Sequence, residues 1–586
     1  MNWDLTKLCK DKEDFEKKFD DLKVLIDKFP TFQSHLHEEN KFKEYLLLTK
    51  EFEEKIGKPF MYASMLSDLD RRNVENQTLD SRVMMLYNRL IMNNSFAEPE
   101  ILSIGKDVIM GFIDNNKDLE EFRFSINDMF RKNEHVLKLE EEQMLSNYNP
   151  LFQKASDLYN TLSISDHKNE HIKIDGKDVT VTQGNWRSLI IDSKTAKDRK
   201  KIFEALYKGY DNHKNTYANI YESILLGNKA NAKVRKFDHI LDSYLFDNNI
   251  PTVVFYNLVD VASKYNKGLK KYYKLRKKYL GLKHHYSYDR FLELAKSNKK
   301  FTYEEAKALY LDSIKDCPKD FIEKAKETLK DGYVDVMEKE GKRSGAYSSS
   351  FPNVHPFILL NFDGTLDSVF TLAHESGHSI HSLYSMENQP STLQNYTIFV
   401  AEIASTFNEH MLLDYLMASG KLDKNDKIAL LQKEIDEIVG TFYRQTLFAN
   451  FELEANKLIE NDEPINYEVL SGIMTKLYKK YYGLDLEKEP LKKLVWCYIP
   501  HMYNTPFYVY QYSTSFAASF KLYKEVKENK EEGFKNYLGL LKSGGSDYPI
   551  NQTRNAGVDF TKKDAFLAVC ERMNELVDEL EKVLEE

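Results

Sequence analysis

The chain has 586 residues, with 83 Lys and Arg against 92 Asp and Glu, for a net charge of −9. This balance, with no basic patch interleaved with aromatics, excludes nucleic acid as an expected partner. No apolar run approaches the roughly 18 residues that would span a membrane.

With only 14 Pro and 23 Gly, and frequent Leu, Lys and Glu, the composition predicts long helices and a mainly α fold. Length alone allows roughly three or four domains. No Pro/Gly/Ser-rich linker or internal repeat marks a boundary. Met1 to Lys18 is polar and lacks the apolar centre of a signal peptide, so a cytoplasmic location is expected. Cys9, Cys317, Cys497 and Cys570 are widely spaced with no C-x-x-C pair, which reads as reduced, buried thiols.

In chain order, Phe15 to Phe29 shows helical apolar spacing. His167 and His171 lie in a polar stretch before Asp175-Gly176, a predicted turn, and are assigned no metal. The Lys-rich region from Tyr265 to Lys283 reads as a solvated helix face, and His284-His285 as surface residues. Tyr303 to Ile314 is again helical. Gly345-Ala346 and the segment around Ile358 predict a short sheet in a helical body.

The next element carries chemistry. Thr365 to Ser385 predicts a helix with Leu366, Val369, Phe370, Ala373, Ile380 and Leu383 mostly on one stripe, Thr365 or Asp367 as its cap, and Pro390 after its end. Inside it stands His374-Glu375-Ser376-Gly377-His378, an H-E-x-x-H motif. Residues i and i+4 share a helix face, so both imidazoles reach one metal ion, with Glu375 beside them as a base. Two surface histidines are the bland alternative. Gly377 costs about 1 kcal/mol of helix propensity against Ala, which points to close approach of another backbone.

Catalytic zinc takes three protein ligands and keeps one position open. His381 lies about 10 Å from His374 along a helix axis, too far for joint ligation. A better third ligand is Glu402, at the start of a second helical pattern that runs to Gly420, a stop signal. Glu409 lies seven residues on, on the same face. It serves either to orient a ligand histidine or as an ordinary solvated acid. Further on, Thr505-Pro506 reads as a helix cap and first position, with Tyr508, Tyr510 and Tyr512 in the first turns and His501 and Tyr503 in the preceding loop.

These residues resemble a known family. T-L-A-H-E-S-G-H-S-I-H-S, with F-V-A-E-I-A-S-T-F-N-E carrying Glu402 24 residues after His378, is similar to oligoendopeptidase F of the thimet oligopeptidase family of zinc peptidases. The segments Gly341 to Tyr347, Pro356 to Asn361, Ile499 to Tyr512, Ser543 to Ser546 and Ala556 to Asp559 carry the likeness in order from about residue 110 onward. The resemblance implies two helical lobes flanking a deep channel, a zincin-like core, a division into a helical N-terminal lobe over 1–195 and a catalytic domain over 196–586, and cleavage of short peptides. It implies one Zn²⁺ per chain on His374, His378 and Glu402, and Glu375 as general base. His501 and Tyr510 become candidate donors to the oxyanion, and Tyr503 and Tyr508 candidate substrate contacts, with plain packing as the alternative for this tyrosine-rich segment. An exposed edge strand at Gly345-Ala346 would pair with an extended substrate backbone. Two rival readings are an exopeptidase, with Arg343 or Arg444 anchoring a substrate carboxylate, and a non-catalytic peptide-binding protein.

Overall fold

Apolar residues at helical spacing fold as helices throughout, and about 72% of the chain is helical. The structure is a computed structural model that describes residues 2–297, 299–420 and 422–586. Two compact units divide it. The first comprises Met1–Glu134, Asn298–Gly420 and Leu522–Val558, and the second His135–Ser297, Lys421–Lys521 and Asp559–Glu586. Each unit is assembled from stretches far apart in sequence.

In the first unit, the helix Lys12–Ile26 opens at Asp11, whose carboxylate accepts the Asp14 N–H at 2.8 Å. It buries Phe15, Phe19, Leu22 and Ile26, one stripe at helical spacing. The long helix Glu39–Leu69 packs against a small sheet. Gly57 allows the contact, since a Cβ there would lie 2.6 Å from the Phe351 ring. The sheet holds β3 (Val334–Met337), β4 (Tyr347–Phe351) and β5 (Val354–Phe362) in the order β3-β5-β4. β3 runs parallel to β5 and β4 antiparallel to it, which leaves β4 as an edge. The segment before β4 is pinned by a buried cation. The Lys342 ammonium donates to Asp335 at 2.6 Å and to the carbonyls of Met337 and Leu360 at 2.7 and 2.6 Å. A buried charge is tolerated when it is paired and fully hydrogen-bonded, as here. Next door, Arg343 and the Tyr347 hydroxyl both reach Asp68, at 3.2 and 2.8 Å.

In the second unit, β1 (Glu170–Ile174) and β2 (Lys177–Val181) form a hairpin. Its turn residues Asp175 and Gly176 have φ of 47° and 79°, the left-handed pair that a two-residue hairpin loop requires. His171 sits on β1 with its ring nitrogen 2.8 Å from the Thr180 hydroxyl, and His167 packs on Tyr210. The Lys-rich region differs from its sequence reading. The helix Lys267–Tyr279 is solvated on one face only, and its other face buries Leu269, Tyr272, Tyr273 and Arg276. Arg276 donates to the Tyr272 hydroxyl, the carbonyls of Asp289 and Leu292, and His285. His285 is therefore buried rather than at the surface, and burial together with the Arg276 charge pushes its pKa down to about 3. Charge counting along the chain misses such residues because the partners come from a loop beyond the helix.

All four cysteines are buried free thiols. Among the described residues, no helix is long and apolar enough to cross a membrane.

Candidate metal and catalytic site

The motif helix spans Leu366–Asn388 and begins where the sequence signals it, with the Thr365 hydroxyl accepting the Ser368 N–H. Asp363 steadies that start by accepting from the Thr365 N–H and hydroxyl and from the Ser368 hydroxyl, at 2.9, 2.6 and 2.5 Å. Burial would raise its carboxyl, but these bonds hold the pKa down, at about 2. The second helix spans Ile398–Ala418, and Gly420 just beyond it has φ +67°.

The two helices touch backbone to backbone at Gly377. A Cβ built there would lie 2.4 Å from the Ala404 carbonyl oxygen and 2.6 Å from the Ser405 Cα. Asn408 ties the same pair, its amide donating to the Ala373 carbonyl at 3.1 Å and to the Tyr310 hydroxyl at 2.9 Å. This close crossing carries Glu402 to the histidines. On propensity alone, Gly377→Ala would stabilise the helix by about 1 kcal/mol. The contact reverses the sign, and we expect a destabilisation of about 1–3 kcal/mol, as for other overpacked sites. Denaturant unfolding of the variant gives the sign directly, and a more stable Ala variant would contradict the crossing.

Among the described residues, His374, His378 and Glu402 form one group whose ligand atoms all lie within 4.8 Å of one another. The Nε2 atoms of His374 and His378 lie 3.4 and 3.5 Å from the same Glu402 carboxylate oxygen. The Nδ1–H of His374 donates to Glu409 at 2.6 Å. Glu409 is buried and not a solvated acid, and with this bond made the ring presents Nε2 to Glu402. Burial by itself would lower the His374 pKa, but the bonds to Glu402 and Glu409 raise it well above the ordinary value. Burial would likewise raise Glu402, and its bonds to the two histidines depress it instead. Two imidazoles and two carboxylates at this spacing attract a positive charge, and the donor set and partial exposure fit a divalent ion such as zinc. We expect Glu409→Ala to lower metal affinity about 10- to 100-fold, the usual cost of losing such an orienting partner. Metal content after dialysis against graded chelator reads this, and unchanged retention would make Glu409 a packing residue.

Glu375 is 6% exposed. Burial raises its pKa, opposed by the nearby charges of His374 and His378, and the Ser348 backbone N–H donates to it. Ser348 lies on the edge strand β4, which runs along the motif helix through Ser348–Ser379 and Ser350–Ser382 hydroxyl contacts of 2.8 and 3.0 Å. Upstream, Gly345 (φ +84°) is held by the Asn361 amide, which donates to its carbonyl at 2.7 Å. Gly345 and Ala346 line a cleft of about 300 Å³ with Asn361, Thr365, Ser368 and Thr371. His381 takes no part in the metal group. It is buried and stacked on Tyr396 with 3.6 Å between ring centres.

His501, Tyr503, Tyr508 and Tyr510 belong to the second unit. His501 and Tyr508 are half-exposed and stacked at 5.9 Å, with Tyr512 edge-on to both. Tyr510 is buried against Phe255. Tyr503 is 1% exposed and stacked face to face on Tyr159 at 3.9 Å, so its ring is taken up by packing. The backbone here departs from the sequence reading. His501–Asn504 is a single helical turn that Thr505 closes at its C-terminal end, its N–H donating to the His501 carbonyl, instead of opening the next helix, which begins at Tyr510. Between them Phe507 has φ +55°, and its N–H donates to Glu452 at 2.8 Å. Glu452 is fully buried, and burial pushes its pKa up to about 8 against that hydrogen bond. Sequence reasoning misses this residue. The one signal for it is an acid at the centre of Phe448 to Leu453, where its neighbours along the helix are nearly all apolar.

The comparisons with known proteins follow the same residues. Residues 189–572 match the family model described as Peptidase family M3, and residues 100–168 the one described as Oligopeptidase F. Oligopeptidase PepF of Bacillus subtilis is 34% identical over 585 residues, covering 99% of this chain and 87% of its own length. A solved chain from Chlamydophila abortus superposes with a TM-score of 0.89 at 30% identity, covering 99% of this chain and 98% of that one. The crystal structure of oligoendopeptidase-F from Enterococcus faecium gives 0.76 at 29% identity, covering 98% and 99%. The likeness thus includes the first hundred residues, where the sequence showed only compatible helix.

Proposed function

The chain belongs to peptidase family M3, and from that premise we propose that it is a zinc-dependent endopeptidase that cuts internal bonds of short peptides. The observation that carries this reading is the convergence of His374, His378 and Glu402 within 4.8 Å, with buried Glu375 next to His374 on the same helix. A zinc ion held by those three side chains supplies Lewis acidity at the scissile carbonyl.

The chain's own groups do the rest. Glu375 takes a proton from the attacking water and returns it to the leaving nitrogen. Its burial raises its pKa toward neutrality, which suits a group that must both accept and donate. The edge strand β4 offers its free backbone groups to an extended peptide, next to the base it already contacts through Ser348. Main-chain pairing is blind to side chains and suits broad sequence tolerance. Gly345 and Ala346, beside that strand, leave room for the peptide. His501 and Tyr510 are the groups we assign to the oxyanion, and Tyr508 to substrate contact. We assign Tyr503 a packing role, on the strength of its face-to-face stack on Tyr159. Arg343 is engaged by Asp68, which speaks against its use as an exopeptidase anchor. Four reduced, buried thiols support a cytoplasmic site of action.

The test is mass spectrometry of a peptide of about ten residues incubated with the protein, with and without a zinc chelator. Internal cuts that vanish on chelation and return with zinc are the expected result. Release of single residues would make it an exopeptidase, and no cleavage would make it a peptide-binding protein. In the same assay, Tyr510→Phe is expected to lower kcat by about 10²–10³ with little change in KM, as loss of an oxyanion donor does. A raised KM with unchanged kcat would make Tyr510 a binding residue.

A further inference from the structure

The second unit contains a small cavity walled by cations. Arg290, Arg444 and Lys492 line it, with Arg187 at its margin and tyrosine rings, Tyr207 and Tyr478 among them, closing the remainder. Arg290, Arg444 and Lys492 come from three separate segments: the turn Ser287–Phe291, the start of the helix Arg444–Glu460, and the turn Pro490–Leu494. Aromatic faces cover part of each charge. The Arg290 guanidinium lies 4.5 Å from the Phe291 ring centre, Arg444 4.6 Å from Phe448, and the Lys492 ammonium 5.6 Å from Tyr478.

Among the described residues, no carboxylate lies within ion-pair distance of any of these three cations. The neighbouring acids are committed elsewhere. Asp289 pairs with Arg199 at 2.8 Å, and Asp436 accepts from the Tyr272 hydroxyl and the Gln432 amide at 2.8 and 3.2 Å. Glu489 accepts from the Ser287 N–H and hydroxyl, and faces Lys492 only at longer range. Three half-buried cations around one cavity repel one another unless a negative charge sits among them. Desolvation and the charges of Arg444 and Arg290 pull the Lys492 pKa down to about 7, against the opposing charge of Glu489.

The cavity volume is about 30 Å³. A water needs roughly 10–15 Å³ of such space, so there is room for an occupant of atomic size and none for a nucleotide or a peptide terminus. We propose that this cavity binds one small monovalent anion of the halide class, chloride under ordinary conditions, held among Arg290, Arg444 and Lys492. The anion would tie together the turn Pro490–Leu494 and the helix Arg444–Glu460. The first of these leads through Tyr498, which also lines the cavity, to His501, and the Arg444 charge reaches that histidine and lowers its pKa after burial. The anion therefore acts as a structural fixture behind the His501 segment, independent of the metal site.

The test uses the zinc-loaded full chain at constant ionic strength, with gluconate as the balancing anion. Thermal unfolding midpoints are expected to rise saturably with chloride and bromide, and crystals soaked in bromide to show an anomalous peak between Arg290, Arg444 and Lys492. Lys492→Met keeps length and packing while removing one charge, and is expected to weaken halide affinity at least tenfold and to lose the peak. Arg444→Gln is expected to do the same. If it fails to fold, the bromide peak in the unaltered protein and the Lys492→Met titration still decide. No anomalous peak, a response shared equally by gluconate, an unaltered response in Lys492→Met, or a response to formate without one to bromide would each overturn the proposal.

Discussion

Glu375→Gln is expected to keep its metal and lower kcat by about 10³–10⁴-fold, the upper range for loss of a general acid–base group. The substitution preserves shape and the oxygen that accepts the Ser348 N–H, and removes only the ability to take a proton. The side chain is 6% exposed and sits between the metal ligands, so no solvent carboxylate replaces it. KM should stay within a few-fold, because the lost interaction belongs to the transition state. The measurement is kcat and KM on one peptide together with metal content by atomic emission. Near-normal turnover at full metal occupancy would remove Glu375 from the mechanism. Low turnover with lost metal would show that the variant had disturbed the ligands and would leave Glu375 a structural role.

Glu402→Ala is expected to strip the metal and abolish activity together. Both histidines face Glu402, at 3.4 and 3.5 Å, and it is the one carboxylate of the three grouped residues. Its removal leaves two neutral ligands, where catalytic zinc takes three. Metal retention after dialysis should fall to background while the thermal midpoint of the metal-free protein changes little, since the Gly377 crossing and the Asn408 bonds remain. Glu402→Asp keeps the charge but shortens the reach, and partial rescue by high zinc is expected. Full metal retention in Glu402→Ala would mean that another side chain serves as third ligand.

Much of this site is legible in the amino-acid sequence alone. The spacing of His374, Glu375 and His378 implies one helix face, and Thr365 and Gly420 mark the ends of the two helices. Gly377 hints at a close approach, and the approaching group is the Ala404 carbonyl. The turn at Asp175-Gly176 is equally readable, because it depends on two adjacent residues. The departures from the sequence reading share a cause. Pro506 signals a helix start, but Glu452, from a helix more than fifty positions earlier in sequence, takes the Phe507 N–H and bends the chain first. Arg276 and His285 read as solvent-facing, and partners on the following turn bury them.

What the sequence by itself determined is therefore whatever depends on the chain's local geometry: the helical character, the two histidines on one face, the caps, and a family likeness strong enough to name the chemistry. Only the tertiary structure decided the roles that need distant segments to meet. It joined Glu409 to His374, gave the buried Glu375 an edge-strand N–H, packed Tyr503 on Tyr159, and gathered Arg290, Arg444 and Lys492 around one cavity. The physical reason is range. Helix periodicity and turn preference act over a few residues, whereas burial, hydrogen-bond partners and shifted pKa values depend on which surfaces pack together.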